Sequence, residues 1–326
     1  MNISNQMTRR RALTTLAALP LALSVGCSAL SSEPDLSGLR MLIPNTPGGG
    51  YDVTARTASR ILENRDLTGS IEKFNVVGGG GSVALARLMR ESGNENLIAM
   101  VGVGVVGAAQ VDNSPWKLSD ATALARLVDE PEALVVGEAS PLGSAASLAE
   151  AWRANPRAFT VGAGSAVGGP DHVFAVELAR TIGIDPNTLD IVTFDGAGDL
   201  LTAIIDGSVD VGIAGAGEYI DQVDAGSLRI LAVSNPTEDA PTLRDSGIDL
   251  EFTNWRGFVA PPDIPAVTRN DIVDVLRTMR ESDEWHDALA RHRWADSFLP
   301  GDEFSEFLAA EDLRMRRTLE DLHIPR

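Results

Sequence analysis

The chain has 326 residues, with 27 Lys and Arg residues against 46 Asp and Glu residues, a formal net charge of −19 and one cysteine. A chain of this length usually forms two domains, and such acidity argues against nucleic-acid binding, which depends on basic residues that neutralise phosphates. One cysteine excludes an intramolecular disulfide and a thiolate metal cluster.

The N-terminal segment, residues 1–26, has the pattern of an export signal. Three arginines at positions 9–11 precede an apolar run over residues 12–25, which is too short for a membrane-spanning helix. Residues 8–13 resemble a twin-arginine signal, and the residues before Cys27 resemble a lipobox, in which that cysteine becomes the lipid-acylated first residue of the mature chain. The alternative is a plain cleavable signal with an incidental cysteine. Both interpretations predict a protein that leaves the cytoplasm.

The mature chain repeats a short apolar run, a glycine-rich turn and an amphipathic helix. Apolar runs that predict strands lie at residues 41–43, 75–77, 97–101, 158–161, 191–193 and 209–214. Helices are predicted after several of the turns, and residues 269–322 are mainly helical in pattern. Strands that alternate with helices indicate mostly parallel sheets covered by helices on both faces, so the predicted fold class is α/β.

Two glycine-rich turns stand directly before a predicted helix. Residues 47–50 precede a helix that Asp52 is expected to cap, and residues 162–169 precede a helix that begins at Pro170. Such a turn exposes backbone N–H groups at a helix N-terminus, where the unpaired donors and the helix dipole favour an anion. One turn in each of two lobes would hold both ends of a dicarboxylate.

The sequence from about Leu39 to the C-terminus resembles a known family, the extracytoplasmic solute receptors of the tripartite tricarboxylate transporters. Residues 43–53 resemble the family's opening Pro-x-x-x-Gly-Gly-x-x-Asp loop, and residues 162–172 resemble its second glycine-rich loop. Supporting matches follow in order at residues 196–210, 241–247 and 255–261. The resemblance implies a two-lobed, type II periplasmic-binding-protein (Venus flytrap) fold. It also implies that a small carboxylate is held between the lobes by backbone N–H groups and bridging waters.

The expected ligand-binding residues come from both lobes. The first loop contributes Asn45, Thr46, Pro47, Gly48, Gly49, Gly50, Tyr51 and Asp52, and the second lobe contributes Ser165, Ala166, Gly168, Gly169, His172, Asp195, Gly196 and Ala197. Many members have a small hydroxyl residue in place of Tyr51 and a lysine in place of Asp195, so both residues argue against a citrate-like trianion. An aspartate at position 52 repels an anion unless it caps the helix, meets an amine of the ligand or acts through water, and we favour capping.

Two other motifs suggest chemistry that is less favoured. Residues 102–107 match the dinucleotide-binding fingerprint, but that site needs an opening helix, which residues 112–116 are expected to end early. A structural loop or a third ligand-facing loop is the better interpretation. Ser165 and His172 suggest a hydrolase, but the Gly-x-Ser-x-Gly elbow is absent, and Asp171 is adjacent to His172 in sequence and poorly placed to orient it. The other histidines lack metal-ligand spacing, so no metal or other cofactor is predicted.

The predicted function is that of an exported, non-enzymatic receptor. We expect a monomer that captures a small carboxylate and delivers it to a membrane permease. The alternative is a sensor that presents the bound ligand to a two-component membrane kinase. The predicted layout is a signal over residues 1–26, a tether over 27–37, a first lobe over 38–135 and 254–326, and a second lobe over 136–253.

Overall fold

The structure, a computed structural model, describes residues 36–194, 196–237, 240–320 and 322. The predicted export signal, Cys27 and Asp195 lie outside the described residues. Among the helices of the described ranges, none is both long and apolar enough to cross a membrane.

Strands and helices alternate along most of the described chain. The strands are β1 Arg40–Ile43, β2 Glu72–Asn75, β3 Leu97–Gly102, β4 Thr122–Glu130, β5 Glu132–Gly137, β6 Thr160–Ala163, β7 Asp190–Thr193, β8 Val211–Gly215, β9 Leu228–Val233, β10 Asn254–Ala260 and β11 Ala295–Pro300. The helices are α1 Gly50–Asn64, α2 Ser82–Met89, α3 Val103–Val111, α4 Ala145–Ala154, α5 Pro170–Thr181, α6 Ala197–Asp206, α7 Ile220–Asp224, α8 Ala266–Arg280, α9 Asp283–His292 and α10 Gly301–Leu319.

The strands form two sheets. The first sheet has six strands in the order β11-β4-β10-β3-β1-β2, and the second has five in the order β7-β6-β8-β5-β9. β1 is parallel to β2 and β3, and β6 is parallel to β7 and β8, whereas β5 and β10 run antiparallel to their neighbours. The α/β class is confirmed. The sheets are mixed rather than mostly parallel, because the chain passes between them along strands that enter each sheet in the antiparallel direction.

Sequence patterns located most strands but missed features at the sheet edges. The apolar run predicted as a strand at residues 75–77 lies at the end of β2, and Val77 is exposed. β11 was not predicted, because the stretch was taken as helical. Both β2 and β11 are edge strands with partly exposed side chains, so neither has the continuous apolar pattern of a buried strand.

Helix α1 covers the first sheet with the apolar face that the sequence predicts. Ala55, Ala58, Ile61 and Leu62 are all buried, whereas Val53, which was expected on the same face, is only half-buried. Burial of an Ile or Leu side chain stabilises the fold by about 1.5–3 kcal/mol, so this face fixes the position of α1 and of the turn before it.

The chain passes from the first sheet to the second at the buried sequence Glu130-Pro131-Glu132. β4 ends at Glu130 and β5 begins at Glu132, so only Pro131 separates strands of different sheets. The chain returns to the first sheet at Asn254, whose Nδ2 donates to Glu132 Oε1 at 2.8 Å. The two passages therefore lie side by side. The lobe boundaries given above remain a prediction.

Candidate functional site

The carboxyl ends of β1 and β6 carry the same turn. We name residues 44–49, between β1 and α1, the first loop, and residues 164–169, between β6 and α5, the second loop. Gly48 has a φ of 90° and Gly168 a φ of 83°, a left-handed conformation that glycine adopts without steric cost. The two glycine-rich sequences expected to form one site thus fold alike.

Hydrogen bonds inside the loops use the N–H groups of glycines. The Gly49 N–H donates to the Thr46 carbonyl oxygen at 3.2 Å, and the Gly169 N–H donates to the Ala166 carbonyl oxygen at 2.7 Å. An N–H group that already has an acceptor is not available to a ligand. This differs from the expectation that successive glycine N–H groups face the ligand, because these amides close the turns instead.

Asp52 holds the first loop from the first turn of α1. Its Oδ2 accepts from the Gly48 N–H at 2.9 Å, and its Oδ1 accepts from Asn75 Nδ2 at 2.9 Å and from Arg56 Nε at 2.8 Å. Burial alone would raise the pKa of Asp52, but the hydrogen bonds from Asn75, Gly48 and Arg56 outweigh burial and lower it. Asp52 thus stabilises the helix start. Its bond goes to Gly48, the residue before the N-cap residue Gly49.

We expect Asp52→Asn to lower the free energy of unfolding by about 1–2 kcal/mol at neutral pH, because the amide loses charge-assisted hydrogen bonds. The pKa of Asp52 is lowered in the folded state. Its stabilising contribution is therefore present above the unfolded pKa and is lost as the pH falls through the folded pKa. Urea unfolding at neutral and acidic pH measures this, with the exposed Asp287→Asn as the control. An equal deficit relative to the control at both pH values would contradict the assignment.

His172 occupies the position in α5, after the second loop, that Asp52 occupies in α1, after the first loop. Its Nδ1 accepts from the Gly168 N–H at 3.4 Å, so the imidazole proton is assigned to Nε2. Burial lowers the pKa of His172 to about 4, so the ring is neutral at physiological pH. Ser165 Oγ accepts from the Asp171 N–H at 3.2 Å. The side chains of Ser165 and His172 each support the second loop.

The first loop presents its tip to solvent. Thr46 and Pro47 are exposed, whereas Asn45 is half-buried. The Asn45 side chain lies so close to Gly49 that a Cβ at position 49 would overlap its Nδ2. Its Oδ1 is buried and meets no donor among the residues that the structure describes. Asn45 therefore shapes the loop and keeps one acceptor unpaired.

The third predicted segment is only partly described. Gly196 is the N-cap of α6 and has a φ of 98°, again a conformation suited to glycine. The Ala197 carbonyl oxygen accepts from Tyr219 Oη at 2.9 Å. Asp195 lies outside the described residues. The segment thus adds a glycine-rich helix start to the same sheet as the second loop.

The N-termini of α1 and α5 differ in the N–H groups that they offer. Within the described ranges, the N–H groups of Gly50 and Tyr51 in the first turn of α1 have no acceptor. In α5, Pro170 has no N–H group, and the Asp171 N–H is bonded to Ser165 Oγ. The start of α1 is therefore the stronger site for an anion.

A buried ion pair that no sequence motif predicted lies against the start of α1. Arg256 of β10 pairs with Glu130 of β4, and both side chains are 5% exposed. The guanidinium also donates to Thr54 Oγ1 at 3.5 Å, and its Nη2 lies 2.6 Å from the place where a Cβ at Gly50 would stand. Glu130 outweighs desolvation and raises the pKa of Arg256. Arg256 thus places a guanidinium group at this helix end, with its charge balanced by Glu130.

Three further carboxyl groups surround the ion pair. The Glu132 carboxyl group lies against that of Asp171, and Glu132 Oε2 meets no N–H or hydroxyl donor in the described part of the chain. Desolvation, then Asp171 and Glu130, raise the pKa of Glu132 well above its usual value, and desolvation raises that of Asp171 to about 6. Glu218 is exposed at the edge of this crowded region, where partial desolvation and the negative charges of Glu130 and Asp171 raise its pKa.

One sequence feature could have indicated this cluster. Glu130 and Glu132 flank Pro131 between two apolar strand patterns, which is a position where side chains are usually buried. Acids are rarely buried unless they are paired, so the pattern indicates that each of them has a partner. Their partners, Asp171 and Arg256, come from distant parts of the chain. Only folding brings these groups together.

The model of a family described as "Tripartite tricarboxylate transporter family receptor" matches residues 67–322, most of the chain. The chain belongs to this receptor family. The match begins at residue 67, after the first loop. We assign the first loop to the site because its geometry repeats that of the second loop, which lies within the match.

Several known proteins are similar to this receptor. It is 22% identical to the protein BugT of Bordetella pertussis over 279 residues, 81% of this chain and 82% of BugT. MatC from Rhodopseudomonas palustris, solved with bound malate, has a TM-score of 0.74 at 19% identity, covering 86% of this chain and 98% of MatC. Another R. palustris protein, solved with adipate, has a TM-score of 0.75 at 20% identity, covering 87% and 96%. These similarities confirm the two-lobed periplasmic-binding-protein fold.

Tyr51 of the receptor joins α1 to α3. Its hydroxyl group faces the start of α3, and burial raises the pKa of Tyr51 to about 12. A Cβ at Gly102 would stand 2.8 Å from the Tyr51 ring, and one at Gly104 would stand 2.9 Å from Tyr51 Oη. Tyr51 thus packs against the start of α3, and its expected contact with the ligand stays a prediction.

The fingerprint-like residues 102–107 of the receptor serve close packing. α3 ends at Val111, in agreement with the predicted early end of the helix. A Cβ at Gly107 would overlap the carbonyl oxygen of Gly168, so the glycine allows α3 to touch the second loop. The motif forms the end of β3 and the start of α3 rather than the expected loop, and each of its glycines meets a neighbouring atom too closely for a side chain.

Proposed function

We propose that this receptor captures a small carboxylate between the first and second loops and delivers it to a membrane permease without converting it. The observation that carries the proposal is the repeated turn, which sets one helix N-terminus on each sheet. The two helix starts are neighbours, because a Cβ at Gly104 would stand 2.9 Å from Tyr51 Oη of α1 and 3.7 Å from Pro170 Cδ of α5. A ligand between them would be held from both sheets.

The N-terminus of α1 supports a carboxylate as the ligand. The N–H groups of Gly50 and Tyr51 and the dipole of α1 favour an anion, and Arg256 lies directly behind them. Two similar proteins were solved with malate and with adipate, and both of these ligands are dicarboxylates. We extend this ligand class to the present receptor.

The proposal includes export and attachment to the cell envelope. It rests on the N-terminal export pattern and on Cys27 as the lipid-acylated residue. The receptor would then meet its ligand outside the cytoplasm and act beside the permease. Closure of the two lobes around the ligand would report occupancy to that partner.

Calorimetric titration and thermal unfolding with succinate, malate and adipate test the proposal. A bound ligand stabilises the folded state by mass action, so at 100 times its Kd we expect a gain of about 2.7 kcal/mol in the free energy of unfolding. No stabilisation by any carboxylate at millimolar concentration would contradict the proposal.

A pair of glycine variants locates the binding to the first loop. Gly48 has a φ of 90°, so Gly48→Ala is expected to distort the first loop and to weaken carboxylate binding about tenfold. Gly183→Ala is the matched control, because its φ of 82° imposes similar strain after α5 and away from both loops. Equal affinities of the two variants would place the site elsewhere.

A further inference from the structure

Glu132 and Asp171 form a buried pair of carboxyl groups at the passage between the sheets. Glu132 is the first residue of β5 and is 0% exposed, and Asp171 lies in the first turn of α5 and is 5% exposed. The two carboxyl groups lie against each other. Ionised carboxylates in contact repel each other, and burial removes the water that would screen them. The pair therefore needs a positive charge or a proton.

The hydrogen bonds of Glu132 leave one of its carboxyl oxygens over. Oε1 accepts from Asn254 Nδ2 at 2.8 Å, whereas Oε2 is buried and meets no N–H or hydroxyl donor among the residues that the structure describes. A buried acceptor without a donor destabilises the folded state. A proton on either carboxyl group of the pair creates an O–H donor between the two groups and removes this cost.

The backbones of both residues are held in place. The Glu132 N–H donates to Ser234 Oγ at 3.0 Å, and the Ser234 N–H donates to the Glu132 carbonyl oxygen at 2.8 Å. The Asp171 N–H donates to Ser165 Oγ at 3.2 Å. Repulsion between the two carboxyl groups could thus be relieved by separation only if hydrogen bonds of the fold were broken.

The charged and titratable groups around the pair leave it without a positive partner of its own. They are Glu130 of β4, Arg256 of β10, Tyr51 of α1, and Glu218 and Tyr219 of a short turn after β8. The positive charge among these groups is that of Arg256, which is paired with Glu130. Within the described ranges, no three His, Cys, Asp or Glu side chains converge closely enough to hold a metal ion. A proton neutralises the pair without needing a cavity.

We propose that Glu132 and Asp171 hold one proton between them at neutral pH, and that this proton joins the passage between the sheets to the start of α5. The resulting chain of hydrogen bonds runs from Asn254 through the carboxyl pair to Ser165 of the second loop. Loss of the proton breaks this chain and loosens the start of α5. The site belongs to the folded receptor without ligand, so it does not rest on the proposed function.

The pKa directions determine how stability should change with pH. Desolvation and then Asp171 raise the pKa of Glu132 well above its usual value, and desolvation raises the pKa of Asp171 to about 6. The stability that a raised carboxyl pKa contributes is fully present below the unfolded pKa and is lost as the pH rises through the folded pKa. Above pH 7 the unfolding constant should therefore rise by up to about tenfold per pH unit until the pair has lost its last proton.

Glu132→Gln replaces the shared proton by an amide N–H group. The amide keeps an oxygen for Asn254 and adds a donor beside Asp171 at nearly the same side-chain size. In urea unfolding between pH 7 and pH 9, we expect the unfolding constant of the wild type to rise relative to that of E132Q. Glu306→Gln, an exposed substitution on α10, should keep a constant ratio to the wild type. A constant ratio for E132Q as well would overturn the inference.

Infrared spectroscopy detects the proton directly. The spectrum of the wild type minus that of E132Q at pH 7 should contain the band of a protonated carboxyl group. Asp171→Asn makes the matching replacement from α5 and should remove the same band, so the test does not depend on the folding of a single variant. Wild-type spectra that lack this band relative to both variants would contradict the shared proton.

Hydrogen exchange followed by mass spectrometry tests the link to α5. At pH 8, peptides from residues 164–181 should exchange faster in the wild type than in E132Q, because the wild-type pair begins to lose its proton. Peptides from α8, residues 266–280, should exchange equally in the two proteins. Equal exchange over residues 164–181 would show that the proton does not hold the start of α5, and the inference would be wrong.

Discussion

Replacing Arg256 by methionine is expected to lower the free energy of unfolding by about 3–5 kcal/mol. Methionine keeps an apolar stem but removes the guanidinium that faces Glu130, and both side chains are 5% exposed. Glu130 would then remain as a buried charge without its partner. The cost of that unpaired charge exceeds what the ion pair itself contributes, because desolvation of the two ions offsets most of their attraction. Urea unfolding measures the loss.

A double variant and a surface variant complete this test. R256M combined with E130Q is expected to recover most of the lost stability, because neither buried charge remains. Arg277→Met removes an exposed arginine that lies 3.3 Å from Asp274, and we expect a change below about 1 kcal/mol. If R256M destabilises no more than R277M, the guanidinium is not held in a desolvated pair.

Replacing Gly107 by alanine is expected to lower the free energy of unfolding by about 1–3 kcal/mol and to weaken ligand binding. The new Cβ would overlap the carbonyl oxygen of Gly168, a backbone atom that cannot rotate away. The second loop must therefore move off α3, and this disturbs the bond from the Gly168 N–H to His172. Thermal unfolding and titration with the best-binding carboxylate measure the two effects.

Gly198→Ala is the matched control for this substitution. Gly198 is also helical, but a Cβ at this position would meet no atom within 4 Å. Alanine is the better helix former, so G198A should stabilise the receptor by up to about 1 kcal/mol. A G107A receptor that is stabilised to the same extent and binds its ligand normally would show that α3 and the second loop separate without cost.

Local sequence patterns predicted the parts of the site that depend on local geometry. A strand that ends in glycines before a helix is recognisable from a few residues, so both loops were found. The sequence did not predict how the loop amides are used. The Gly48 and Gly168 amides bond to Asp52 and His172, each four residues later, and this pairing depends on how the chain curves into the helix.

The fingerprint at residues 102–107 shows the limit of motif arguments. Its glycines were expected to form a structural or ligand-facing loop, and in the fold they provide close contacts for α3. Tyr51 was expected to contact the ligand, and the fold shows in addition that its side chain lies against Gly102 of β3 and Gly104 of α3. The sequence shows where glycines leave room for a neighbour. The atoms that occupy this room belong to Tyr51, Gly168 and Trp255, which are distant along the chain.

The sequence by itself determined the α/β class, the family resemblance and the two loops, because strand periodicity, helix starts and glycine turns are properties of adjacent residues. Only the tertiary structure decided which charges meet. Glu130, Glu132, Asp171 and Arg256 lie on four elements and come together where the chain passes between the sheets. Electrostatic energy depends on distance and burial, and neither is encoded by position along the chain. The net charge of −19 therefore could not reveal that three acids and one arginine are buried together at this passage.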